Sequence, residues 1–356
     1  MGKFGLQPIL NTTYMQTTAI ELFKHGPAAT AFRTVEREIP EPHADEVIIE
    51  AEGFGLNYAD VMARLGFYND APDIPSVIGY EVVGMVIKAG GSAGESLVGK
   101  RVTAFTRFGG YARHAITTVD ACLEIGSDAD MGEAMALTTQ FGTAYYAMEH
   151  CAHLQEGSTI MLHAAAGGVG LGIIQLASLR NANILAMAGS AEKLQFLRSQ
   201  GVEKVFNYRT SDYVDWVRSE THDRGVDVAF NSVGGRTFKK DLKLLDAGGK
   251  LVLYGVADRS SGGKGNWANL GLVWKMGLLI PIQLMMRSVG IIGVNMLTIG
   301  DSRPDILRGC LEKTVELFNA GSIKPVVDSI FTPSDIGAAH ARLESRESIG
   351  KIVVKW

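Results

Sequence analysis

The clearest switch in hydrophobic pattern falls in the middle of the chain. Thr159-Ile160-Met161-Leu162 is a short apolar run that enters a turn of small residues, His163 to Gly167. Beyond the turn, Val169, Ile173, Ile174, Leu176 and Ala177 recur at helical spacing. The pattern therefore predicts strand, tight turn and helix in immediate succession. Residues 183–188, 226–230 and 250–255 are further apolar runs read as buried strands. Polar segments with helical patterning separate them; the one at 191–200 stops at Gly201. Strands alternating with helices predict an α/β fold, a doubly wound parallel sheet with right-handed crossovers. Such sheets bind ligands at the carboxyl ends of their strands. That rule gathers Gly189-Ser190, the stretch from Asn231 to Gly234, and Tyr254-Gly255 around one bound molecule.

The turn reads A-x-G-x-x-G through Ala165, Gly167 and Gly170. Between a strand and a helix, this spacing is a dinucleotide fingerprint. Gly167 lets the backbone approach a pyrophosphate, and Gly170 lets the helix pack against the strand. The helix N-terminus adds free N–H groups and a positive dipole end. Ala166, Gly167, Gly168, Val169 and Gly170 are the candidate phosphate contacts. A plain tight turn in an α/β core is the competing reading.

Length and composition narrow the class. A chain of 356 residues predicts two domains. With 46% hydrophobic and 20% charged residues it is an ordinary globular protein. A net charge of -4 leaves no basic footprint, so no nucleic-acid partner is expected. Cys122, Cys151 and Cys310 are scattered, which predicts a reducing, cytoplasmic setting without disulfides. The N-terminus lacks a basic region followed by an apolar core, so no secretory signal is expected, and residues 1–14 read as an extension. His150 and His153 are spaced to share one helix face, where a solvated helix end is the expectation. Residues 267–286 are unusually apolar. Lys275 and the helix-breaking Pro281 argue against a membrane span. The stretch reads as a core-packed helix or dimer contact, or else as a lid over a lipophilic substrate or a peripheral membrane contact.

Several motifs resemble the medium-chain dehydrogenase/reductases: Gly55-Leu56-Asn57-Tyr58-Ala59-Asp60, Ile78-Gly79-Tyr80-Glu81, the turn at His163–Gly170, and Val205-Phe206-Asn207-Tyr208-Arg209. The stretches beginning at Gly321 and Gly350 add support. The chain is most similar to the zinc-independent quinone oxidoreductase branch, including relatives of the synaptic vesicle amine transport protein. The resemblance implies a Rossmann dinucleotide domain inserted in a discontinuous, GroES-like, mainly antiparallel β catalytic domain. The expected boundaries are 15–137 and 291–356 for the catalytic parts and 138–290 for the insert. A homodimer is expected.

Zinc-bearing members of the family hold catalytic zinc with a Cys, a His and a second Cys. The matching positions here are Asn57, Tyr80 and the neighbourhood of Gln140, and residues 89–113 lack the cysteines of the structural-zinc lobe. Zinc takes sulfur, imidazole or carboxylate ligands, so no metal is expected. Asp60 and Glu81 are expected to be structural, holding a loop or pairing with an Arg.

An NAD site calls for an acid about twenty residues beyond the glycine turn; Gly189 and Ser190 stand there instead. Lys193 falls in the first turn of the next helix if Ser190 caps it. A cation there opposes the helix dipole unless an anion, such as a 2′-phosphate, lies beside it. The competing reading is a solvated Lys193 paired with Glu192. The resemblance puts Tyr208 against the adenosine phosphate and Thr143 at the nicotinamide end. The cofactor expected is NADPH.

The resemblance places Asn57 and Tyr58 beside the nicotinamide; with Tyr68 they are the catalytic candidates, to orient the substrate and stabilise a negative oxygen. The expected function is an NADPH-dependent, zinc-independent reductase acting on a small apolar quinone or α,β-unsaturated carbonyl compound. An enoyl-thioester reductase is one alternative. A membrane-associated NADPH- or lipid-binding protein with little catalysis is the other.

Overall fold

The computed structural model describes residues 15–257 and 280–356. Its centre is a six-stranded parallel sheet in the order Lys204–Asn207, Asn183–Ala188, Thr159–Leu162, Val226–Asn231, Leu245–Leu253, Gly290–Gly293. The four apolar runs form its four inner strands, buried on both faces as the sheet of a doubly wound fold must be. The strand order reverses between Thr159–Leu162 and Val226–Asn231, which creates the crevice where such sheets bind ligands. The run expected at 250–255 starts earlier and ends sooner, as Leu245–Leu253. Tyr254 and Gly255 therefore lie just past the strand end.

A second sheet has seven strands. Its path is Val327–Phe331, Lys351–Lys355, Glu46–Leu56, Glu81–Ala89, Arg101–Phe105, Cys122–Glu124, with His114–Thr118 paired on Glu46–Leu56. All its pairings are antiparallel except that of Val327–Phe331 with Lys351–Lys355. The chain thus leaves this sheet, builds the parallel sheet, and returns to add two strands. Gly350 N–H donates to Ala166 O at 3.1 Å, so the returning strand is fastened to the glycine turn.

Two expectations need correction. Pro281 opens helix Pro281–Arg287, in whose first turn its missing N–H costs nothing. This part of the apolar stretch is not core: Met285 and Met286 are 73% and 81% exposed. Residues 267–279, like the expected extension 1–14, lie outside the described residues. His150 and His153 do not share a helix face, because His153 lies beyond the helical turns at φ 51° while His150 stacks on Tyr146. Among the described residues, no helix is long and apolar enough to cross a membrane.

Candidate active site

The glycine turn has the geometry its sequence requires. Gly167 caps helix Gly168–Ser178 in an extended conformation. A Cβ at Gly170 would stand 2.6 Å from the carbonyl oxygens of both Ala164 and Ala165, so only glycine lets the helix sit this close to the turn. A Cβ at Gly168 would fall inside the side chain of Gln140, which packs directly on the turn. At Gly167 the nearest atom is 3.2 Å away, leaving its outer side open to a ligand.

Beside the turn, Ser190 caps helix Ala191–Ser199 by accepting from the Lys193 N–H at 3.3 Å. The Lys193 side chain is engaged by the backbone rather than left to solvent and Glu192 alone. Its ammonium is half-buried and donates to Arg346 O at 2.8 Å. Burial holds its pKa below the usual lysine range, with Arg342 and Arg209 adding to the shift and Asp328 opposing it. A Cβ at Gly189 would meet Tyr208 Oη at 2.7 Å and Arg209 Nε at 2.9 Å. The place of the NAD-type acid is therefore filled by a phenol and a guanidinium. Arg346 lies over the Tyr58 ring, its guanidinium 5.9 Å from the centroid, and donates to Ala257 O at 2.8 Å. The motif singled out Tyr208; Arg209 stood beside it unremarked, and Arg346 carried no local signal.

The third cluster surrounds Asn57, the cap of helix Tyr58–Arg64. Its Nδ2 donates to Glu81 Oε1 at 2.8 Å, and its Oδ1 accepts from Lys351 Nζ at 3.0 Å. Lys351 is fully buried, donates also to Leu56 O at 3.1 Å, and forms an ion pair with Glu81. The second oxygen of Glu81 accepts from Thr138 Oγ1 and the Thr139 N–H, both at 3.1 Å. Glu81 is structural as expected, but its partner is a lysine from the last strand rather than an Arg. Asp60 accepts from the Asn57 N–H at 2.7 Å through Oδ2, and its Oδ1 has no hydrogen-bond partner. Burial pushes the Asp60 carboxyl up to about 8, against the Asn57 N–H and Lys351. Tyr80 is buried with its hydroxyl unpartnered, edge-on to Tyr68 at 6.2 Å between ring centroids. Burial, then Asp70, pushes the Tyr68 phenol up to about 12.

The remaining candidates divide between surface and interior. Asn231 sits at the end of its strand, but its side chain is turned inward: Nδ2 donates to Asp241 at 2.5 Å, and Oδ1 accepts from the N–H groups of Val233 and Gly234. The same Asp241 carboxylate takes His163 Nε2 at 2.9 Å and Tyr213 Oη at 2.6 Å. The Asn231 amide thus shapes the loop at the carboxyl end of its strand. Tyr254 Oη donates to His163 O at 3.4 Å, and a Cβ at Gly255 would crowd Ser232 O at 2.8 Å. Thr143 is buried and donates back to Thr139 O at 2.5 Å.

The positions that hold zinc in zinc-bearing relatives carry an amide engaged by Glu81 and Lys351, a buried phenol, and an amide packed on the glycine turn. This is not a zinc donor set. Among the described residues, no group of three or more His, Cys, Asp or Glu could hold a metal ion.

A glycine turn at a sheet switch point, joined through Gly350 to a second, mainly antiparallel sheet, is the architecture of nucleotide-dependent oxidoreductases. Residues 168–308 match the zinc-binding dehydrogenase family, and residues 43–127 match the alcohol dehydrogenase GroES-like domain. The chain belongs to the medium-chain dehydrogenase/reductase family. It is 32% identical to the human synaptic vesicle membrane protein VAT-1 homolog-like, over 90% of this chain and 77% of that protein. It is 27% identical to rat quinone oxidoreductase, over 94% and 97% of the two chains. A mycobacterial structure complexed with NADPH superposes with a TM-score of 0.82 at 26% identity, covering 96% of this chain and 100% of the other.

Proposed function

We propose that the protein is an NADPH-dependent reductase that passes a hydride to a quinone or an α,β-unsaturated carbonyl compound without a metal ion. The observation that carries this reading is the cationic rim at Gly189. Tyr208 and Arg209 crowd the position where an acid would select NADH, and Lys193, in the first turn of the next helix, is held by Arg346 O. A 2′-phosphate supplies the anion that this rim and the helix N-terminus favour. The NADPH-bound mycobacterial relative supports the same assignment.

When bound, NADPH supplies the hydride; the chain's own groups prepare the acceptor. Asn57 Nδ2 has two N–H bonds and uses one on Glu81. The other can donate to a substrate oxygen as negative charge develops there. Tyr68, held protonated by its surroundings, is our candidate to give a proton to that oxygen or, in an enone, to the α-carbon. Such a substrate accepts hydride without a Lewis acid, which suits a site whose former ligand positions are amides and a phenol. The relationship to rat quinone oxidoreductase supports the quinone class.

Steady-state NADPH oxidation by purified protein, against a panel of quinones, enones and an enoyl thioester, tests this. Turnover of a quinone or enone with NADPH preferred over NADH is the expected result. No turnover with any of them, in protein that binds NADPH, rejects the enzymatic reading.

Exposed Ile282, Met285 and Met286 on helix Pro281–Arg287 support a contact surface, for which a second copy of the chain or a membrane surface is the candidate. Light scattering and vesicle sedimentation separate the two.

A further inference from the structure

We infer that Lys351 is the positioning residue for Asn57, fixing which way the carboxamide faces and therefore where its unused N–H points. The inference rests on the role of Asn57 proposed above. An amide side chain can rotate by half a turn and exchange its oxygen for its nitrogen at little steric cost. At Asn57 both faces are chemically specified. Lys351 Nζ can only donate, so it requires Oδ1 at its side; Glu81 Oε1, as the ion-pair partner, requires Nδ2. Exchanging the ends would set an ammonium against an NH2 group and a carboxylate against an oxygen, and both charged partners are fully buried, so water cannot relieve either clash at their side.

The attachment of Lys351 explains why this matters. Its neighbour Gly350 donates to Ala166 O in the glycine turn and adopts φ 85°. A Cβ at Gly350 would press into Val326 O, so the backbone there has one available path. Two consecutive residues of the returning strand thus hold the phosphate-binding turn and the Asn57 amide in one frame. A cofactor seated on that turn meets an N–H of fixed direction. A buried ion pair seldom adds net stability, and its better-attested use is to specify geometry.

Lys351→Met alone strands the Glu81 charge and can fail to fold. The decisive variant is therefore Lys351→Met with Glu81→Gln, which removes both charges at nearly constant volume. The Asn57 Nδ2 protons are assigned by NMR from their disappearance in Asn57→Asp. In the parent protein the expected signature is two well-separated proton shifts in slow exchange. In the double variant the pair collapses toward free-amide values while NADPH affinity stays within about twofold. The kcat for the best quinone or enone falls about tenfold or more, with KM little changed, the mark of a lost transition-state interaction. A folded double variant that keeps both the parental amide signature and the parental kcat overturns the inference. So does one that loses kcat only in proportion to its folded fraction. If the parent reduces no quinone or enone, the proposed function fails, and the amide spectra still decide the positioning claim.

Discussion

The ammonium of Lys193 donates to the main-chain carbonyl of Arg346 across 2.8 Å, joining the helix after the second parallel strand to the loop before the last strand. A lysine in the first turn of a helix opposes the dipole, and here it is partly desolvated with Arg342 and Arg209 nearby and Asp328 and Glu192 opposing them, so an added anion is favoured beside it. Lys193→Glu should therefore weaken NADPH far more than NADH. Hydrogen bonds to charged groups are worth about 1.5–3 kcal/mol, so the loss for NADPH is on the order of 10- to 150-fold. Fluorescence titration of both cofactors measures it; equal affinities in the parent protein would remove the basis for the assignment.

Gly189 offers a second, steric test. An acid at this position would have to displace Tyr208 Oη and Arg209 Nε, each within 3 Å of the added Cβ. Gly189→Asp alone should weaken both cofactors. Gly189→Asp combined with Tyr208→Ala should recover NADH binding while NADPH stays weak, because the added carboxylate repels a 2′-phosphate. Strong NADH binding by Gly189→Asp alone would show that Tyr208 does not fill the position.

The inner sheet was legible because strands buried on both faces must carry continuous apolar runs, as residues 160–162 and 184–188 do. Gly290–Gly293 was not: an edge strand, half-buried, with glycine at both ends, leaves almost no pattern. The Ser190 cap and the glycine turn were readable because their chemistry is local. Lys351 was not, because a lysine at the start of a short apolar run reads as an exposed strand end. Only its pairing with Glu81, 270 residues earlier, makes it a buried one. At Asn231 the strand-end position predicted a ligand contact but not that Asp241 and the following loop engage its side chain, because those partners are set by tertiary packing.

Asp60 carries a pH prediction. Burial raises its carboxyl from 3.8 to about 8, with Glu81 adding and Lys351 and the Asn57 N–H opposing. Between those two values the folded protein holds a proton that the unfolded chain has released. Stability from this group therefore falls as pH rises from about 4 to about 8, and levels off above. Asp60→Asn keeps an acceptor for the Asn57 N–H and removes the ionisation. Its melting temperature relative to the parent should rise across that window. A parallel pair of melting curves against pH would place the Asp60 carboxyl near its ordinary value.

Metal independence can be checked directly. With an amide, a phenol and an amide at the former ligand positions, purified protein should carry far less than one zinc per chain by elemental analysis. Turnover should survive prolonged chelation. Stoichiometric zinc together with chelator-sensitive activity would contradict the donor-set argument.

The catalytic assignment makes the sharpest demand, because Asn57 and Tyr68 are given different tasks. Asn57→Ala removes the N–H donor and also frees Lys351 and Glu81 from one partner each, so some loss of stability should accompany a fall in kcat. Tyr68→Phe removes only a hydroxyl from a half-exposed ring, so folding should be unaffected. Its kcat should fall by about 10- to 100-fold, less than the full range for general acid catalysis because water can reach the same oxygen. NADPH affinity should stay within about twofold in both, since neither side chain touches the rim around Gly189. The Tyr68 phenol, pushed up to about 12, remains protonated through neutral and mildly alkaline pH. Its ionisation therefore adds no break to the parent profile near pH 8. A break that is present in the parent and absent from Asp60→Asn belongs to Asp60. Retention of full kcat by Tyr68→Phe would move the proton-donor role to solvent and leave Tyr68 as a wall of the pocket.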